Sequence, residues 1–252
     1  MAVRTLKAIV HRLAAHYGEP PRPAPRSALE FILYENVAYL VTESRRAAAF
    51  ARLKREVGTT ARAIAKAPLA KLRTIVAAPG RLLTMKVQRL REIAALVMNE
   101  FDGDLDAACD GPPAEALRAL QQFPAIGVPG AERVLLLTGR LPILAVDSNG
   151  LRVLTRIGYA HKLQSYARTY RAVRAAIAPE IGTDTTFVQR AHLLLQTHGR
   201  ERCRSTPRCD GCPVRDLCDY GRQGTADVPP ASSARKFTSR ILNRSRCVTS
   251  RA

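Results

Sequence analysis

The chain has 252 residues and a strongly basic composition, with 40 lysines and arginines against 21 aspartates and glutamates and a formal charge of +19. Such a surplus favours a polyanionic partner, most often DNA or RNA, over a merely basic surface or an acidic protein partner. No apolar run approaches the roughly 20 residues of a membrane-spanning helix, so a membrane partner is not expected.

Helical periodicity begins near the N-terminus. The first 18 residues contain no acidic side chain and place apolar ones three or four positions apart, as in a packed helix, at Val3, Leu6, Val10, Leu13 and Tyr17. A cytoplasmic, nucleoid-associated location is expected, and the basic N-terminus leaves organellar targeting open. Residues 19–26, EPPRPAPR, predict a proline-rich linker.

The rest of the chain reads as helices without convincing strands, which predicts an all-α fold. Helices are expected over residues 27–56, near 59–66 and 69–77, over 85–101, from about 114, and over 147–157, 164–178 and 184–197, with a loop over 101–113. From residue 223 the composition changes to Pro, Ser, Thr and Arg. This change predicts a basic, disordered tail over 223–252.

One carboxylate, Glu35, interrupts an apolar stretch, FILYENVAYL, in the first long helix. A partly desolvated carboxylate in such a place would hold a proton near neutral pH and act as an acid. A satisfied buried polar side chain is the alternative interpretation. Glu30, one turn earlier, is a second candidate for the important acid.

Two later stretches carry candidate binding chemistry. Residues 120–134, LQQFPAIGVPGAERV, predict two helices joined by a turn whose backbone amides suit a phosphate oxygen, with ordinary helix packing as the alternative. Residues 142–153, PILAVDSNGLRV, place Asp147 just before a helix. That aspartate is either an N-cap or a fixed carboxylate at the mouth of a cleft.

Four of the six cysteines lie in CRSTPRCDGCPVRDLC, residues 203–218, separated by five, two and five residues. Without an evident secretion signal, this pattern favours a metal site over a disulfide framework. Cys109 and Cys247 stand outside the group and are expected to be ordinary thiols.

In this order, the hairpin, the aspartate segment and the four-cysteine loop resemble the endonuclease III and adenine DNA glycosylase superfamily of base-excision repair enzymes. FPAIGVPGA is similar to that family's Leu-Pro-Gly-Val-Gly-x-x-x-Ala hairpin, and HGRERCRSTPRCDGCPVRDLC to its cluster loop. The likeness covers about residues 1–220. It implies a helix-hairpin-helix glycosylase fold, with a helical barrel domain over 27–140 and a cluster-bearing domain made of 1–26 and 141–222.

The resemblance also implies a four-iron, four-sulfur cluster held by Cys203, Cys209, Cys212 and Cys218. Zinc is the less favoured metal, because zinc sites usually combine two close cysteine pairs and only Cys209 and Cys212 form one. The family usually has six residues between its first two cysteines, whereas this chain has five.

Bifunctional members of the family carry a lysine at the position of Pro129, and its amine forms a Schiff base with the sugar. The proline implies a monofunctional DNA glycosylase that excises a damaged or mismatched base from duplex DNA. Glu35 would be the general acid and Asp147 would stabilise the sugar cation. A strand-cleaving lyase that uses another amine, such as Lys86, and a non-catalytic binder of damaged DNA are the alternatives.

The DNA contacts implied by the resemblance come from three regions. Tyr39 and Leu40 stand where the adenine branch carries a glutamine pair, and they are expected to wedge into the duplex. Phosphate is expected to bind the hairpin at Ile126, Gly127, Val128, Gly130 and Ala131. Lys86 and Arg89 are expected on a DNA-facing helix, with a solvated basic face as the alternative. The expected partner is double-stranded DNA, bound by a monomer.

Overall fold

The computed structural model of the chain describes residues 4–223, so Val3, Cys247 and the predicted tail beyond residue 223 lie outside the described residues. The first half contains α1 (Leu6–Tyr17), α2 (Ala28–Asn36), α3 (Glu43–Glu56), α4 (Ala61–Lys66), α5 (Leu69–Ile75), α6 (Gly80–Glu100), α7 (Leu105–Cys109) and α8 (Pro113–Gln121). The second half contains α9 (Val128–Leu137), α10 (Ser148–Ile157), α11 (Tyr166–Ile177), α12 (Thr185–Glu201) and α13 (Asp219–Arg222).

The all-α prediction is confirmed for the described residues. Two short 3₁₀ turns, Ala178–Glu180 and Arg215–Leu217, complete the helical elements. Within residues 4–223, extended pairing is limited to one parallel bridge between Ala38 and Ala77. No helix in the same range is both long and apolar enough to cross a bilayer.

The prediction of one long helix over 27–56 is wrong, because the chain reverses between α2 and α3. The Tyr39 amide donates to the Ala77 carbonyl (2.9 Å) and the Ala77 amide to the Val37 carbonyl (3.0 Å), which holds the connection in an extended form. Leu40 follows with φ of 54°, a left-handed conformation that leucine rarely adopts. Residues 37–42 are named the 37–42 loop below.

The predicted loop over 101–113 is also partly wrong, since it contains α7. The Asp104 side chain accepts a hydrogen bond from the Ala107 amide (3.1 Å) and caps this short helix. Leu105 and Cys109, on α7, are buried in the apolar core next to it.

The buried apolar side chains form two clusters that together position the site. The first is built from α2 to α9, between residues 28 and 135. The second combines α1 with residues 136–217, because α1 packs against α12. The α9 helix contributes to both, with Leu135 in the first cluster and Leu136 in the second.

The α10 and α12 helices cross at Gly199, where there is no room for a side chain. A Cβ atom at this position would lie 2.7 Å from both the Cβ and the carbonyl oxygen of Asn149. Backbone atoms of α10 cannot yield as a flexible side chain would, so the two helices must separate.

Replacing Gly199 with alanine is therefore expected to lower the free energy of unfolding by about 1–3 kcal/mol. Gly182→Ala is the matched control, since a Cβ atom there meets nothing within 4 Å. Denaturant unfolding of both variants gives the comparison. Equal stability of the two variants would contradict the close approach of α10 and α12.

Candidate active site

A cleft of about 510 Å³ is lined by residues of both halves of the protein. Glu35, at the end of α2, lines it together with Arg46 of α3. Asp147, the N-cap residue of α10, and Gln196 of α12 line it from the other half. Residues 20–25 of the proline-rich linker, Arg133 of α9 and Arg200 of α12 also line the cleft. The cleft thus brings together the two carboxylates singled out from sequence.

Asp147 is both a helix cap and a fixed carboxylate at this cleft. Its Oδ1 accepts from the amides of Asn149 (3.0 Å) and Gly150 (2.8 Å), and its Oδ2 accepts from the side chains of Asn149 (3.0 Å) and Gln196 (3.0 Å). Burial alone would raise the pKa of Asp147, but the hydrogen bonds from Gly150, Asn149 and Gln196 outweigh it and lower the pKa. The group is therefore an ionised carboxylate at neutral pH.

Glu35 does not stand in the apolar setting expected from its sequence neighbours. Its Oε2 pairs with Arg46 Nη1 (3.1 Å) and its Oε1 pairs with Arg133 Nη2 (2.6 Å). Sequence reasoning missed both arginines, which are supplied by α3 and α9. Neither carries a local motif that identifies it as a partner of Glu35.

Glu30, the second candidate acid, faces away from the cleft. Its carboxylate accepts from Lys54 Nζ (2.9 Å), Thr59 Oγ1 (2.9 Å) and the Arg26 amide (2.8 Å). Burial opposes ionisation, but these hydrogen bonds lower the pKa of Glu30 overall. Glu30 therefore ties α2 to α3 and to the linker.

The 37–42 loop presents the two predicted wedge residues at the surface. Leu40 has 75% of its surface exposed and Tyr39 has 42%. Lys86 lies beneath this loop with only 2% exposed, its Nζ 5.1 Å from the centroid of the Tyr39 ring. The prediction that Lys86 faces DNA is therefore wrong for the free protein, whereas Arg89 is half-buried on the same helix.

Burial, and then the nearby charges of Arg89 and Arg46, lower the pKa of the Lys86 amine. Among residues 4–223, this amine has no hydrogen-bond acceptor and no ion-pair partner, and its recorded contact is the cation–π interaction with Tyr39. It is consequently a buried amine with a reduced tendency to carry charge.

The hairpin before α9 exposes some of the predicted amides and uses others internally. The Ile126 amide donates to the Phe123 carbonyl (3.1 Å) and the Ala131 amide to the Gly127 carbonyl (2.9 Å), so neither is available to phosphate. Gly127 caps α9 without any side-chain bond, and within the described chain no backbone carbonyl accepts from the amides of Gly127, Val128 and Gly130. Of the five predicted hairpin positions, Gly127, Val128 and Gly130 therefore have amides available to a phosphate.

The four cysteines Cys203, Cys209, Cys212 and Cys218 line one small cavity. Arg156 Nη1 donates to Cys203 Sγ (3.3 Å), the Gly221 amide donates to Cys218 Sγ (3.4 Å), and His198 Nε2 lies 3.7 Å from Cys212 Sγ. Burial raises the pKa of the Cys218 thiol to about 11. In residues 4–223 no three His, Cys, Asp or Glu side chains converge on a point that suits one metal ion. The thiols instead surround the cavity.

Comparisons with known proteins agree with this architecture. The family model described as HhH-GPD superfamily base excision DNA repair protein matches residues 41–179. The chain is 33% identical over 134 residues to the protein named endonuclease III of Treponema pallidum, a match that covers 53% of this chain and 56% of that protein. The chain spans about half the length of the curated relatives that it matches.

Two solved structures share the fold. One is titled a trapped endonuclease III–DNA covalent intermediate, with a TM-score of 0.66, 20% identity, and 88% of this chain and 99% of that chain covered. The other is titled a thermostable thymine-DNA glycosylase, with a TM-score of 0.68, 17% identity, and 86% and 95% covered.

Proposed function

Since this chain belongs to the HhH-GPD superfamily of base excision DNA repair proteins, we propose that it is a DNA glycosylase that removes a damaged or mismatched base from duplex DNA. The observation that carries the proposal is the cleft that Glu35 and Asp147 share, because one carboxylate can serve as acid and the other as a stabiliser of positive charge. The charge of +19 supports binding to a polyanion.

Asp147 has the properties needed at the sugar. Breaking the bond between base and sugar develops positive charge on the sugar, and an ionised carboxylate lowers the free energy of that state. The hydrogen bonds from Asn149, Gly150 and Gln196 hold Asp147 in one orientation, so no reorganisation is required during the reaction. Asp147 would also orient the attacking water.

Glu35 is the proposed general acid, which donates a proton to the flipped base as the base leaves. In the free protein its carboxylate is paired with two guanidinium groups, so at least one ion pair must open as Glu35 engages the base.

Leu40 and Tyr39 would fill the gap left in the duplex, since an exposed apolar tip can wedge between base steps. The amides of Gly127, Val128 and Gly130 would bind a backbone phosphate near the target nucleotide at the start of α9. The partner proposed is double-stranded DNA, bound by a monomer.

The proposal is tested by base release from duplexes that each carry one damaged or mismatched base, with and without alkali. A monofunctional enzyme leaves an abasic site, so strand breaks are expected only after alkali. Breaks without alkali would point to a lyase. Tight binding to an abasic analogue without release of any base would instead favour a non-catalytic binder.

A lyase that uses Lys86 is the second candidate, because a buried, unpaired amine with a lowered pKa is a suitable nucleophile for a Schiff base. Against it, Pro129 offers no amine at the hairpin and Lys86 is covered by Tyr39. Borohydride reduction in the presence of abasic DNA distinguishes this lyase from a monofunctional glycosylase. A covalent adduct that is lost in Lys86→Gln would establish the lyase.

We also infer that Cys203, Cys209, Cys212 and Cys218 hold a four-iron, four-sulfur cluster, which would cross-link the C-terminal loop. Ligands spread around one cavity suit a cluster better than a single zinc ion, which needs four donors about 2.3 Å or less from one point. Arg152 and Arg156 support the loop by donating to the Cys203 carbonyl (2.8 and 3.3 Å).

Replacing Cys212 with serine is expected to abolish bound iron and acid-labile sulfide and to lower the Tm of the C-terminal half. Cys109→Ser is the control, because Cys109 is buried in the other apolar cluster. Elemental analysis and visible absorption of anaerobically purified protein provide the measurement. Stoichiometric zinc without sulfide in the wild type would overturn the inference.

A further inference from the structure

The two arginines on Glu35 are held in different ways. Arg46 is fixed, because its guanidinium lies 5.8 Å from the centroid of the Tyr34 ring and its Nε is buried, in addition to the ion pair with Glu35. The contact of Arg133 with Glu35 (2.6 Å) is its one side-chain hydrogen bond or ion pair recorded among residues 4–223. Arg133 can thus exchange its partner at the cost of a single ion pair.

Arg133 lies on α9, the helix that follows the hairpin. This helix begins at Val128, where the amides of Gly127, Val128 and Gly130 have no carbonyl acceptor. Helical side chains lean toward the N-terminus of their helix, which is the end that carries these amides. Guanidinium binds phosphate through two parallel hydrogen bonds, as it binds carboxylate.

The other acids of the cleft already have partners. Asp147 accepts four hydrogen bonds, and Glu43 accepts from Tyr34 (2.5 Å) and pairs with Arg200 (3.7 Å). Arg133 lines the cleft together with Arg22 and Arg200, and an anion that enters and pairs with Arg133 competes with Glu35 for it. When Arg133 leaves, Arg46 still remains on Glu35.

We propose that Arg133 exchanges partners when DNA binds, pairing with Glu35 in the free protein and with a phosphate of the target nucleotide in the complex. The inference rests on the proposed glycosylase function and adds a positioning residue to it. Arg133 holds the Glu35 carboxylate until a phosphodiester is bound, and its departure frees one side of that carboxylate for the base.

The test is a double-mutant cycle of equilibrium binding to a duplex that contains a stable abasic analogue, which needs no catalysis. Glu35→Gln removes the competitor for Arg133, so it should bind this DNA about tenfold more tightly than wild type. In an Arg133→Gln background the same change should alter affinity by less than about twofold. An equal gain in both backgrounds would mean that Glu35 merely repels DNA, and would overturn the exchange.

Rescue by a conservative variant excludes a purely structural role. Arg133→Lys keeps the cation and should restore the affinity lost in Arg133→Gln, whereas Arg118→Gln, on an exposed arginine, controls for the loss of one charge. Absence of base release by the wild type would reject the glycosylase function, and the binding cycle would still judge the exchange.

Discussion

Replacing Asp147 with asparagine is expected to slow single-turnover base release by about 10²–10⁴-fold with little change in Tm. Asparagine caps a helix about as well as aspartate, so the bonds to the Asn149 and Gly150 amides survive. The negative charge proposed to stabilise the sugar cation is lost, and such preorganised electrostatic stabilisation is commonly the largest single contribution to catalysis. The variant therefore separates the capping role of Asp147 from the catalytic one.

Asp184→Asn provides the matched control for Asp147→Asn. Asp184 caps α12 by accepting from the Phe187 amide (3.0 Å) and does not line the cleft. It should retain the wild-type rate and Tm. If Asp147→Asn also retained the wild-type rate, Asp147 would be only a cap and the proposed chemistry would be wrong.

Features set by local sequence could be predicted. The all-α fold follows from helical spacing of apolar residues, and the order of hairpin, aspartate segment and cysteine loop indicated the family. Asp147 could be identified because its capping role and its position before α10 depend on its immediate neighbours. In each case, a few adjacent residues determine the structure.

Features that depend on residues distant in the sequence could not be predicted from it. The break after α2 requires the backbone of Ala77, and the burial of Lys86 requires the Tyr39 ring. The surroundings of Glu35 were expected to be apolar because its sequence neighbours are apolar, whereas its carboxylate contacts Arg46 and Arg133. Tertiary contacts of this kind overrule the local pattern, so sequence identified Glu35 as a candidate but described its surroundings wrongly.

Glu35→Gln is expected to slow base release by about 10²–10⁴-fold, the usual contribution of a general acid. Glutamine keeps the size of the side chain, and its one amide oxygen can still accept a hydrogen bond from Arg46, so the cleft should retain its shape. The loss should be greatest for bases that leave poorly without protonation. Single-turnover kinetics at saturating enzyme isolates this effect from DNA binding.

Glu30→Gln, on the same helix, should show the reverse pattern. It weakens bonds to Lys54 and Thr59 and should lower the free energy of unfolding by about 1–3 kcal/mol, with the rate of base release retained. Because the pKa of Glu30 is lowered from 4.5, its contribution is present above that pH and is lost as pH falls through the lower folded-state value, so the stability gap to wild type should close in acid. If Glu30→Gln lost base release while Glu35→Gln retained it, the acid would have been assigned to the wrong glutamate.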